Sequence, residues 1–207
     1  MDDAAIARIL KEYGVEVSPG LCKAIRAYMD LLLKWNQKVS LTSVTDPEEI
    51  VGRHFGESLF ALRAVPIQPR RLVDVGSGAG FPGLALKLLL PETDVTLIEA
   101  NVKKATFLGE VVRQLGLEYV SVLRTRTEEM HLHGPIADCV TARAIGDFAQ
   151  LLEWSACALE PAGKLVLWLG SEDAAKVVGF TGWSWADQLL IPNSARRVLL
   201  AGSPKQA

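Results

Sequence analysis

The sequence predicts an α/β protein with a mostly parallel sheet, preceded by a segment built from helices alone. From residue 71 to about residue 170, short apolar runs alternate with stretches of helical periodicity, the pattern of right-handed crossovers in a parallel sheet. Before residue 66, apolar residues instead recur at helical spacing. We therefore expect an N-terminal helical extension over residues 1–65 and the sheet-containing domain over residues 66–207.

Three helices are expected in the extension, each with a recognisable start signal. The signals are a capping side chain, in two cases followed by proline, at Asp2 or Asp3, Ser18-Pro19 and Asp46-Pro47. Gly14 is expected to end the first helix, and the second continues to residue 36. Pro66 and Pro69 then mark a linker.

Seven strands are expected after the linker. Two runs near the end of the chain, residues 183–191 and 197–201, are expected to form a terminal hairpin, so that a parallel sheet ends in an antiparallel pair. The five earlier strands are predicted at residues 71–75, 94–99, 119–124, 137–142 and 164–169, with helices at 82–90, 101–115 and 147–158.

The first expected strand ends in a glycine-rich turn, L-V-D-V-G-S-G-A-G-F-P-G, over residues 72–83. A strand that breaks into glycines and restarts as a helix brings bare backbone amides close to a ligand, at a helix N-terminus. The turn therefore indicates a nucleotide-type cofactor. Gly78, Gly80 and Gly83 fit the dinucleotide pattern G-x-G-x-x-G.

A second register of the same turn favours a different cofactor. The dinucleotide pattern should begin directly after the strand, where the first glycine is Gly76. Read from Gly76, the pattern is G-x-G-x-G, and Phe81 stands in the place of the third dinucleotide glycine. Asp74, inside the strand end, suits a cationic ligand better than a pyrophosphate. S-adenosylmethionine fits this register, because it carries an amino group, a carboxylate and a sulfonium but no phosphate.

Glu99 closes the next apolar run, roughly 20 residues after the turn. A carboxylate at this place accepts hydrogen bonds from a ribose diol in either cofactor class. Glu99 therefore supports an adenosine-containing cofactor and leaves both interpretations open.

Composition bounds the class of protein. No run of about 18 apolar residues is present, so no membrane span is expected. The acidic start M-D-D-A-A lacks a signal-peptide pattern, and Cys22, Cys139 and Cys157 lie outside any C-x-x-C pair. We expect these cysteines to be buried thiols in a cytoplasmic protein without a zinc site. With a formal net charge of −2, an RNA partner would need a local basic face.

The glycine turn and L-I-E-A at residues 97–100 resemble class I methyltransferases in general, in the order of their first two motifs. Four further motifs precede the turn: K-W-N at 34–36, L-T-S-V at 41–44, D-P-E-E at 46–49 and R-H at 53–54. With them, residues 34–145 resemble the bacterial rRNA small subunit methyltransferase G family, also called glucose-inhibited division protein B. The resemblance implies a Rossmann-like class I S-adenosylmethionine-dependent methyltransferase fold, with a mostly parallel seven-stranded sheet and the N-terminal helical extension.

The resemblance also implies a reaction and its partners. The family transfers a methyl group from S-adenosylmethionine to N7 of guanine 527 in 16S rRNA, which leaves S-adenosylhomocysteine. The partner would be 16S rRNA or the small ribosomal subunit, in the cytoplasm and away from membranes. Nothing in the sequence demands more than a monomer.

The expected cofactor site combines the glycine turn with positions that match the family's motifs. Its members are Asp74, Gly76, Ser77, Gly78, Phe81, Glu99, Ala100, Thr127, Glu128 and Arg143. Substrate contacts are expected from Asn36, Arg53, His54 and Ser58, and no metal is expected. Asn36, His54 and Arg143 are also candidates for a catalytic role through positioning. Each also has a purely structural alternative: a helix cap for Asn36, a hydrogen-bonded place on a packed helix face for His54 and a salt bridge for Arg143.

Three positions depart from the family's pattern. Glu57 replaces a usual aspartate, Leu169 stands where a lysine is common, and the basic tail strand is reduced to residues 195–197. These departures concern the RNA contacts more than the cofactor site. The pair Lys103-Lys104 is interpreted as a solvated helix face rather than a phosphate contact.

The expected chemistry needs no general base. Guanine N7 has a free lone pair and no proton at neutral pH, so catalysis can rest on alignment and electrostatics. The sequence agrees, because neither Cys139 nor Cys157 follows a proline, as the nucleophile of cytosine C5 methylation does, and Arg143 stands where an N-P-P-Y motif would hold an exocyclic amine. A small-molecule methyltransferase and a dinucleotide-dependent oxidoreductase stay open as alternatives, and a basic rim around the pocket would count against the former.

Overall fold

The N-terminal helices begin where the capping signals place them. In the computed structural model, which describes residues 1–64 and 68–205, the side chains of Asp2, Ser18 and Asp46 each accept a hydrogen bond from the backbone N–H three residues later. The helices of this segment are α1 (Asp3–Glu12), α2 (Pro19–Asn36), α3 (Pro47–Ile50) and α4 (Glu57–Ala64).

A π-helical turn, Val51–Gly56, joins α3 to α4 where the sequence predicts one continuous helix. The turn lies against Tyr13, and a Cβ on Gly56 would come within 2.4 Å of that ring, so only glycine allows this approach. Turns of this kind are frequent at functional sites. This one carries Arg53 and His54, two of the expected substrate contacts.

The sheet has seven strand positions, in the order β3-β2-β1-β4-β5-β8-β6. The short β7 and β6 both pair with the edge of β8 that faces away from β5, so together they fill one position. Strands β1 to β5 are mutually parallel, and β8 runs antiparallel to its neighbours. The strands are β1 (Arg71–Val75), β2 (Asp94–Ile98), β3 (Val120–Leu123), β4 (Ala137–Arg143), β5 (Leu159–Gly170), β6 (Trp183–Trp185), β7 (Leu189–Leu190) and β8 (Arg197–Pro204). This architecture confirms the predicted mostly parallel, seven-stranded sheet with N-terminal helices.

Several elements differ from the prediction. The run at residues 183–191 forms two short strands, β6 and β7, and the helix predicted at 82–90 is shorter. Strand β5 begins at Leu159 rather than at residue 164, because a register shift opposite Ala137 and Cys139 accommodates Pro161 and Gly163, residues that normally interrupt strands. A helix also follows β5, and only two of its apolar residues are buried, which explains its weak signal. The helices after β1 are α5 (Gly83–Lys87), α6 (Val102–Leu115), α7 (Phe148–Ala158) and α8 (Ser171–Val178).

Apolar clusters cover the two faces of the sheet. One joins Leu10, Ile25 and Phe55 of the N-terminal segment to Leu72 of strand β1 and to Phe107 of the helix at residues 102–115. The other contains alternate residues of the same strands and the apolar sides of α7 and α8. The N-terminal helices thus share a continuous core with one sheet face. The boundary that we predict between residues 65 and 66, and Pro66 itself, lie outside the described residues, so the division into two parts stays a prediction.

The cysteines follow the expectation in part. Cys22 and Cys139 are buried, whereas Cys157 is exposed on α7, which contradicts the expectation that all three are buried. Among the described helices, none is long and apolar enough to cross a membrane.

Candidate functional site

Four parallel strands end at the same level of the sheet. Val75 pairs with Ile98 and with Ala142, and Ile98 pairs with Leu123. The residues that follow β1, β2, β3 and β4 therefore emerge along one edge, which is where open α/β sheets bind their ligands.

A cavity of about 210 Å³ lies at this edge. Gly76 borders it after β1, and Glu99 and Ala100 border it after β2. Thr127 and Glu128 reach it from a short 3-10 turn that follows β3. The structure therefore brings five of the ten expected cofactor residues to one cavity.

The glycine loop has a backbone that other residues adopt only at a cost. The φ angles of Gly76, Gly78 and Gly80 are +67°, +56° and +86°, all in the left-handed region. A Cβ on Gly76 would lie 2.8 Å from the Ile145 side chain, which also borders the cavity. A Cβ on Gly78 would meet only a backbone oxygen at 3.8 Å, so open space lies beside this residue for a ligand.

Glu99 links the loop to the second strand. Its Oε2 accepts a 2.9 Å hydrogen bond from the Gly78 N–H, and its Oε1 accepts one of 2.7 Å from the Asn101 N–H. A carboxylate oxygen has a second lone pair, so each can still accept a hydroxyl of a ribose. The donor set at the cavity therefore fits an adenosine-containing cofactor.

Asp74 and Ser77 shape the loop from inside the protein. Asp74 is fully buried; its Oδ1 accepts from the Thr141 hydroxyl at 2.7 Å and its Oδ2 from the Gly83 N–H at 3.2 Å. Burial raises the pKa of this carboxyl to about 6. The Ser77 hydroxyl donates to the Asp74 carbonyl at 2.9 Å. Both carboxylate oxygens thus bond within the protein, so direct contact of these two residues with the cofactor stays a prediction.

Phe81 lies in an aromatic cluster rather than along the cavity. Its ring stacks on Tyr28 with centroids 5.2 Å apart and on His54 with centroids 4.8 Å apart. Phe55 meets the same ring edge-on at 5.1 Å. The residue after the loop therefore packs against the N-terminal helices.

Arg143, at the end of β4, forms the structural salt bridge that was its alternative role. Its Nη2 donates to Glu57 Oε2 at 2.8 Å, and its Nη1 donates to the Arg53 carbonyl at 2.9 Å. Arg197 binds the other oxygen of Glu57 at 2.7 Å, and Trp168 Nε1 donates to the Glu57 carbonyl at 2.7 Å. In this geometry Arg143 tethers the π-helical turn to the sheet and does not reach the cavity.

The sequence alone marks Glu57 only as a departure from the family's pattern. The structure shows it fully buried at the centre of this ion cluster. Helical spacing gave no signal for this burial, because Glu57 is two positions from both Phe55 and Leu59 and would lie on the opposite side of a regular helix. The identity of the partners could not be read from the sequence, since Arg143 is 86 residues away.

Asn36 organises the loop between α2 and α3. Its Oδ1 accepts hydrogen bonds from the Leu41 and Thr42 N–H groups at 2.9 and 3.0 Å, and its Nδ2 donates to the Thr42 carbonyl at 2.8 Å. The Thr42 hydroxyl in turn lies 2.8 Å from His54 Nε2. Asn36 and His54 are thus joined through one threonine.

His54 is neutral at physiological pH. Burial, followed by the charges of Arg143 and Arg53, lowers the pKa of its imidazole to about 4. The two remaining substrate candidates are also engaged, since Arg53 Nη1 pairs with Glu49 at 2.7 Å and the Ser58 hydroxyl donates to the His54 carbonyl at 2.5 Å. These contacts hold the turn in place. The neutral imidazole of His54, with its low pKa, is poorly suited to donate a proton near pH 7.

One basic side chain, that of Arg126, borders the cavity, and three more lie near it. Arg124 and Arg126, both exposed, line a neighbouring cavity of about 610 Å³ that shares Glu99 with the first. Lys103 and Lys104 lie in the first turn of α6, where positive charge opposes the helix dipole. None of these four forms an ion pair with an acidic side chain of residues 1–64 or 68–205. They form a basic rim next to the candidate cofactor site.

Solved structures of low sequence identity share the fold. A ribosomal protein L11 methylase from Lactobacillus delbrueckii subsp. bulgaricus matches with a TM-score of 0.61 at 14% identity, over 75% of this chain and 80% of that chain. A SAM-dependent methyltransferase from Aquifex aeolicus matches with a TM-score of 0.60 at 15% identity, over 76% of this chain and 93% of that chain. The likeness confirms the predicted class I methyltransferase fold.

Three relatives with higher sequence identity each carry the name ribosomal RNA small subunit methyltransferase G. The one from Desulfitobacterium hafniense (strain Y51) is 39% identical over 167 residues, 79% of this chain and 69% of the relative. The one from Lactococcus lactis subsp. cremoris (strain SK11) is 31% identical over 201 residues, 91% and 84% of the two chains. The one from Myxococcus xanthus (strain DK1622) is 42% identical over 159 residues, 76% and 73% of the two chains.

A family model described as rRNA small subunit methyltransferase G matches residues 21–182. The match begins within α2 and ends before β6, so it includes the glycine loop, Glu99, the π-helical turn and the basic rim. This match, together with the identities of the three relatives, shows that the chain belongs to the rRNA small subunit methyltransferase G family.

Proposed function

We propose that this protein transfers a methyl group from S-adenosylmethionine to N7 of guanine 527 in 16S rRNA. Family membership over residues 21–182 is the observation that carries the proposal. The site supports it, because a cavity suited to a nucleoside lies at the strand ends, with the arginines of the basic rim beside it.

The residues at the cavity account for binding of the cofactor. Glu99 would accept the ribose hydroxyls, with Ala100, Thr127 and Glu128 beside the adenine, while the backbone at Gly76 and Gly78 lies next to the methionine portion. When bound, the cofactor supplies an electrophilic methyl group on a sulfonium. The protein's part is to hold that group in line with the acceptor nitrogen.

The substrate side of the site acts by alignment. The lone pair of guanine N7 needs no deprotonation, and the neutral, hydrogen-bonded His54 agrees with a site that moves no proton near pH 7. Asn36, Thr42 and Arg143 hold the π-helical turn in a fixed position over the strand ends. We propose that this turn orients the guanine, with Arg53 and His54 nearest to it.

The two alternatives left open by the sequence are removed by the family. Neither a dinucleotide-dependent oxidoreductase nor a small-molecule methyltransferase agrees with membership over residues 21–182. The positive charges of Lys103, Lys104, Arg124 and Arg126 agree with a polyanionic substrate, although Glu128 and Glu129 lie on the same segment as the two arginines.

We further propose that the protein acts as a monomer in the cytoplasm. The large apolar side chains exposed among the described residues, such as Val102, Tyr119, Val178 and Leu190, lie on separate elements rather than in one patch.

A comparison of free rRNA with small subunits as substrates decides which of the two the enzyme methylates.

The test is methyl transfer from labelled S-adenosylmethionine to 16S rRNA and to small subunits that lack native modification. N7-methylguanine is mapped by chemical strand cleavage, and rRNA with adenine at position 527 serves as the control. A single labelled guanine that the control lacks is the expected result. Label at another position, or no label in either substrate while S-adenosylhomocysteine still binds, would contradict the proposed acceptor.

A further inference from the structure

One buried tyrosine, Tyr28, connects the N-terminal helices directly to the glycine loop. It lies in the middle of α2 with its side chain fully buried, and its hydroxyl donates a 2.6 Å hydrogen bond to the backbone carbonyl of Ala79. Ala79 is the loop residue between Gly78 and Gly80. A side chain of the helical extension therefore bonds to the backbone of the loop that borders the cofactor cavity.

The loop approaches Tyr28 so closely that Gly80 has to be a glycine. A Cβ on Gly80 would lie 2.1 Å from the Tyr28 hydroxyl oxygen. The third glycine of the G-x-G-x-G pattern is thus needed for contact with α2, in addition to its φ of +86°. Gly80, although part of a pattern that suggests ligand binding, is therefore required for close packing against Tyr28.

The ring of Tyr28 extends the connection to the substrate side. It stacks on Phe81 with an interplanar angle of 13° and meets Phe55 edge-on with ring centroids 5.3 Å apart. Phe81 also stacks on His54, which the π-helical turn carries. One aromatic cluster therefore joins α2, the loop and the turn.

Tyr28 completes a set of three hydrogen bonds on consecutive loop residues. The end of β2 and the residue after it hold the first two. The Ser77 N–H donates to the Ile98 carbonyl at 3.0 Å, and the Gly78 N–H donates to the Glu99 carboxylate at 2.9 Å. Tyr28 holds the third, at Ala79. Since the residues before and beside this segment border the cavity, the shape of the loop sets the shape of the cofactor site.

We propose that Tyr28 is a positioning residue for the cofactor, so that the N-terminal extension takes part in cofactor binding as well as in substrate binding. The inference rests on the proposed use of S-adenosylmethionine. Without the hydroxyl, the Ala79 carbonyl loses its partner and the loop spends part of its time in conformations that do not bind. The apparent affinity is then the intrinsic affinity multiplied by the fraction of molecules whose loop is in the binding conformation.

The test compares Tyr28→Phe with Tyr13→Phe. Both variants remove one buried tyrosine hydroxyl from the N-terminal segment and keep the ring, but the Tyr13 hydroxyl lies against Gly52 of the π-helical turn and not against the loop. We expect the Kd of S-adenosylhomocysteine, measured by calorimetry, to rise about three- to tenfold in Tyr28→Phe and to stay unchanged in Tyr13→Phe.

Two further measurements separate positioning from general destabilisation. In the ligand-free Tyr28→Phe protein, amide hydrogen exchange should be faster over residues 77–80 than in the wild type. In turnover, the KM for S-adenosylmethionine should rise while kcat and the KM for rRNA are unchanged.

Three outcomes would count against this role. Equal affinity and equal loop exchange in Tyr28→Phe and wild type would overturn the role of Tyr28 while the proposed reaction stands. Equal weakening in Tyr28→Phe and Tyr13→Phe would overturn it too, because the effect would then be general. A wild-type protein that does not bind S-adenosylhomocysteine would instead overturn the cofactor assignment itself.

Discussion

At the scale of single residues, we expect cofactor binding to depend most directly on Glu99. Its carboxylate borders the cavity and also holds the N–H groups of Gly78 and Asn101. We expect Glu99→Ala to weaken binding of S-adenosylhomocysteine by about 1 to 3 kcal/mol, because ribose hydrogen bonds and a loop contact are lost together. Calorimetric titration measures this directly.

A matched control is available on the neighbouring helix. Glu110 of α6 pairs with Arg113 and does not border the cavity, so Glu110→Ala removes the same side chain without touching the site. We expect this variant to bind like the wild type. If Glu99→Ala binds S-adenosylhomocysteine as tightly as Glu110→Ala, Glu99 is not a cofactor residue.

His54 should make the protein less stable as the pH falls. Its pKa is about 4 in the folded protein, where burial and two arginines oppose protonation, against an ordinary value of 6.5. The unfolded state therefore binds more protons between these two values, and the free energy of unfolding decreases as the pH falls from about 6.5 to about 4. His54→Gln keeps a polar side chain next to Thr42 without titrating, and should reduce this decrease in urea denaturation at a series of pH values.

Asp74 acts in the opposite direction, which is why the comparison must be made between variants. Burial raises its pKa from 3.8 to about 6, so in this range the folded state binds more protons and the residue favours folding as the pH falls. Asp74 is common to the wild type and His54→Gln, and its effect cancels in the difference. Identical pH profiles for the two proteins would contradict a buried, neutral His54.

At the scale of elements, Glu57 fixes the π-helical turn and α4 to the sheet. Glu57→Ala would leave Arg143 largely buried without its carboxylate and would also release Arg197. We expect a loss of about 3 kcal/mol in the free energy of unfolding, measured by urea denaturation. The S-adenosylhomocysteine affinity of the folded variant should change less than in Glu99→Ala, because Glu57 does not border the cavity.

A shorter acidic side chain at the same position supplies the control. Glu57→Asp keeps the charge on a side chain shorter by one methylene, so we expect it to retain most of the stability that Glu57→Ala loses. Equal stability of Glu57→Ala and the wild type would mean that the ion cluster contributes nothing to holding the turn.

Local signals predicted many elements well, and long-range packing explains the exceptions. Helix starts at Asp2, Ser18 and Asp46 were predictable because a cap is a contact over three residues. The π-helical turn was not predictable, since it depends on the fit of Gly56 against Tyr13, 43 positions earlier in the sequence. The predicted start of strand β5 is too late because Pro161 and Gly163 oppose a strand unless a bulge accommodates them.

The same distinction divides the candidate site. Gly76, Glu99 and Thr127 were predicted to share a site because parallel strands bring their carboxyl ends to one edge, and they border one cavity. The directions of Phe81 and Arg143 could not be predicted, because their partners lie on helices distant in sequence. Topology could be predicted from the pattern of elements, whereas side-chain pairing between the helices and the sheet required the structure.

At the scale of the whole molecule, charge is distributed unevenly around an overall net charge of −2. Four basic residues near the site have no acidic partner among the described residues. Arg124 and Arg126 line the cavities at the strand ends, and Lys103 and Lys104 directly follow Val102, which lines one of them. The two lysines oppose the dipole of α6, so their position does not stabilise the helix. We expect this rim to contact phosphates of the rRNA; the solvated face that the sequence suggests for Lys103 and Lys104 is the alternative, and the next experiment distinguishes the two.

Replacing Lys103 and Lys104 together by alanine should weaken rRNA binding and leave the cofactor site intact. Loss of two phosphate contacts should raise the KM for rRNA on the order of tenfold. The slope of the logarithm of rRNA affinity against the logarithm of salt concentration should become shallower by about two, while S-adenosylhomocysteine binds as before. The control variant, Lys164→Ala with Lys205→Ala, makes the same change in net charge at the opposite edge of the sheet, where Leu165 pairs with Gly202. A control that weakens rRNA binding as much as the rim variant would show that overall charge, and not this rim, attracts the substrate.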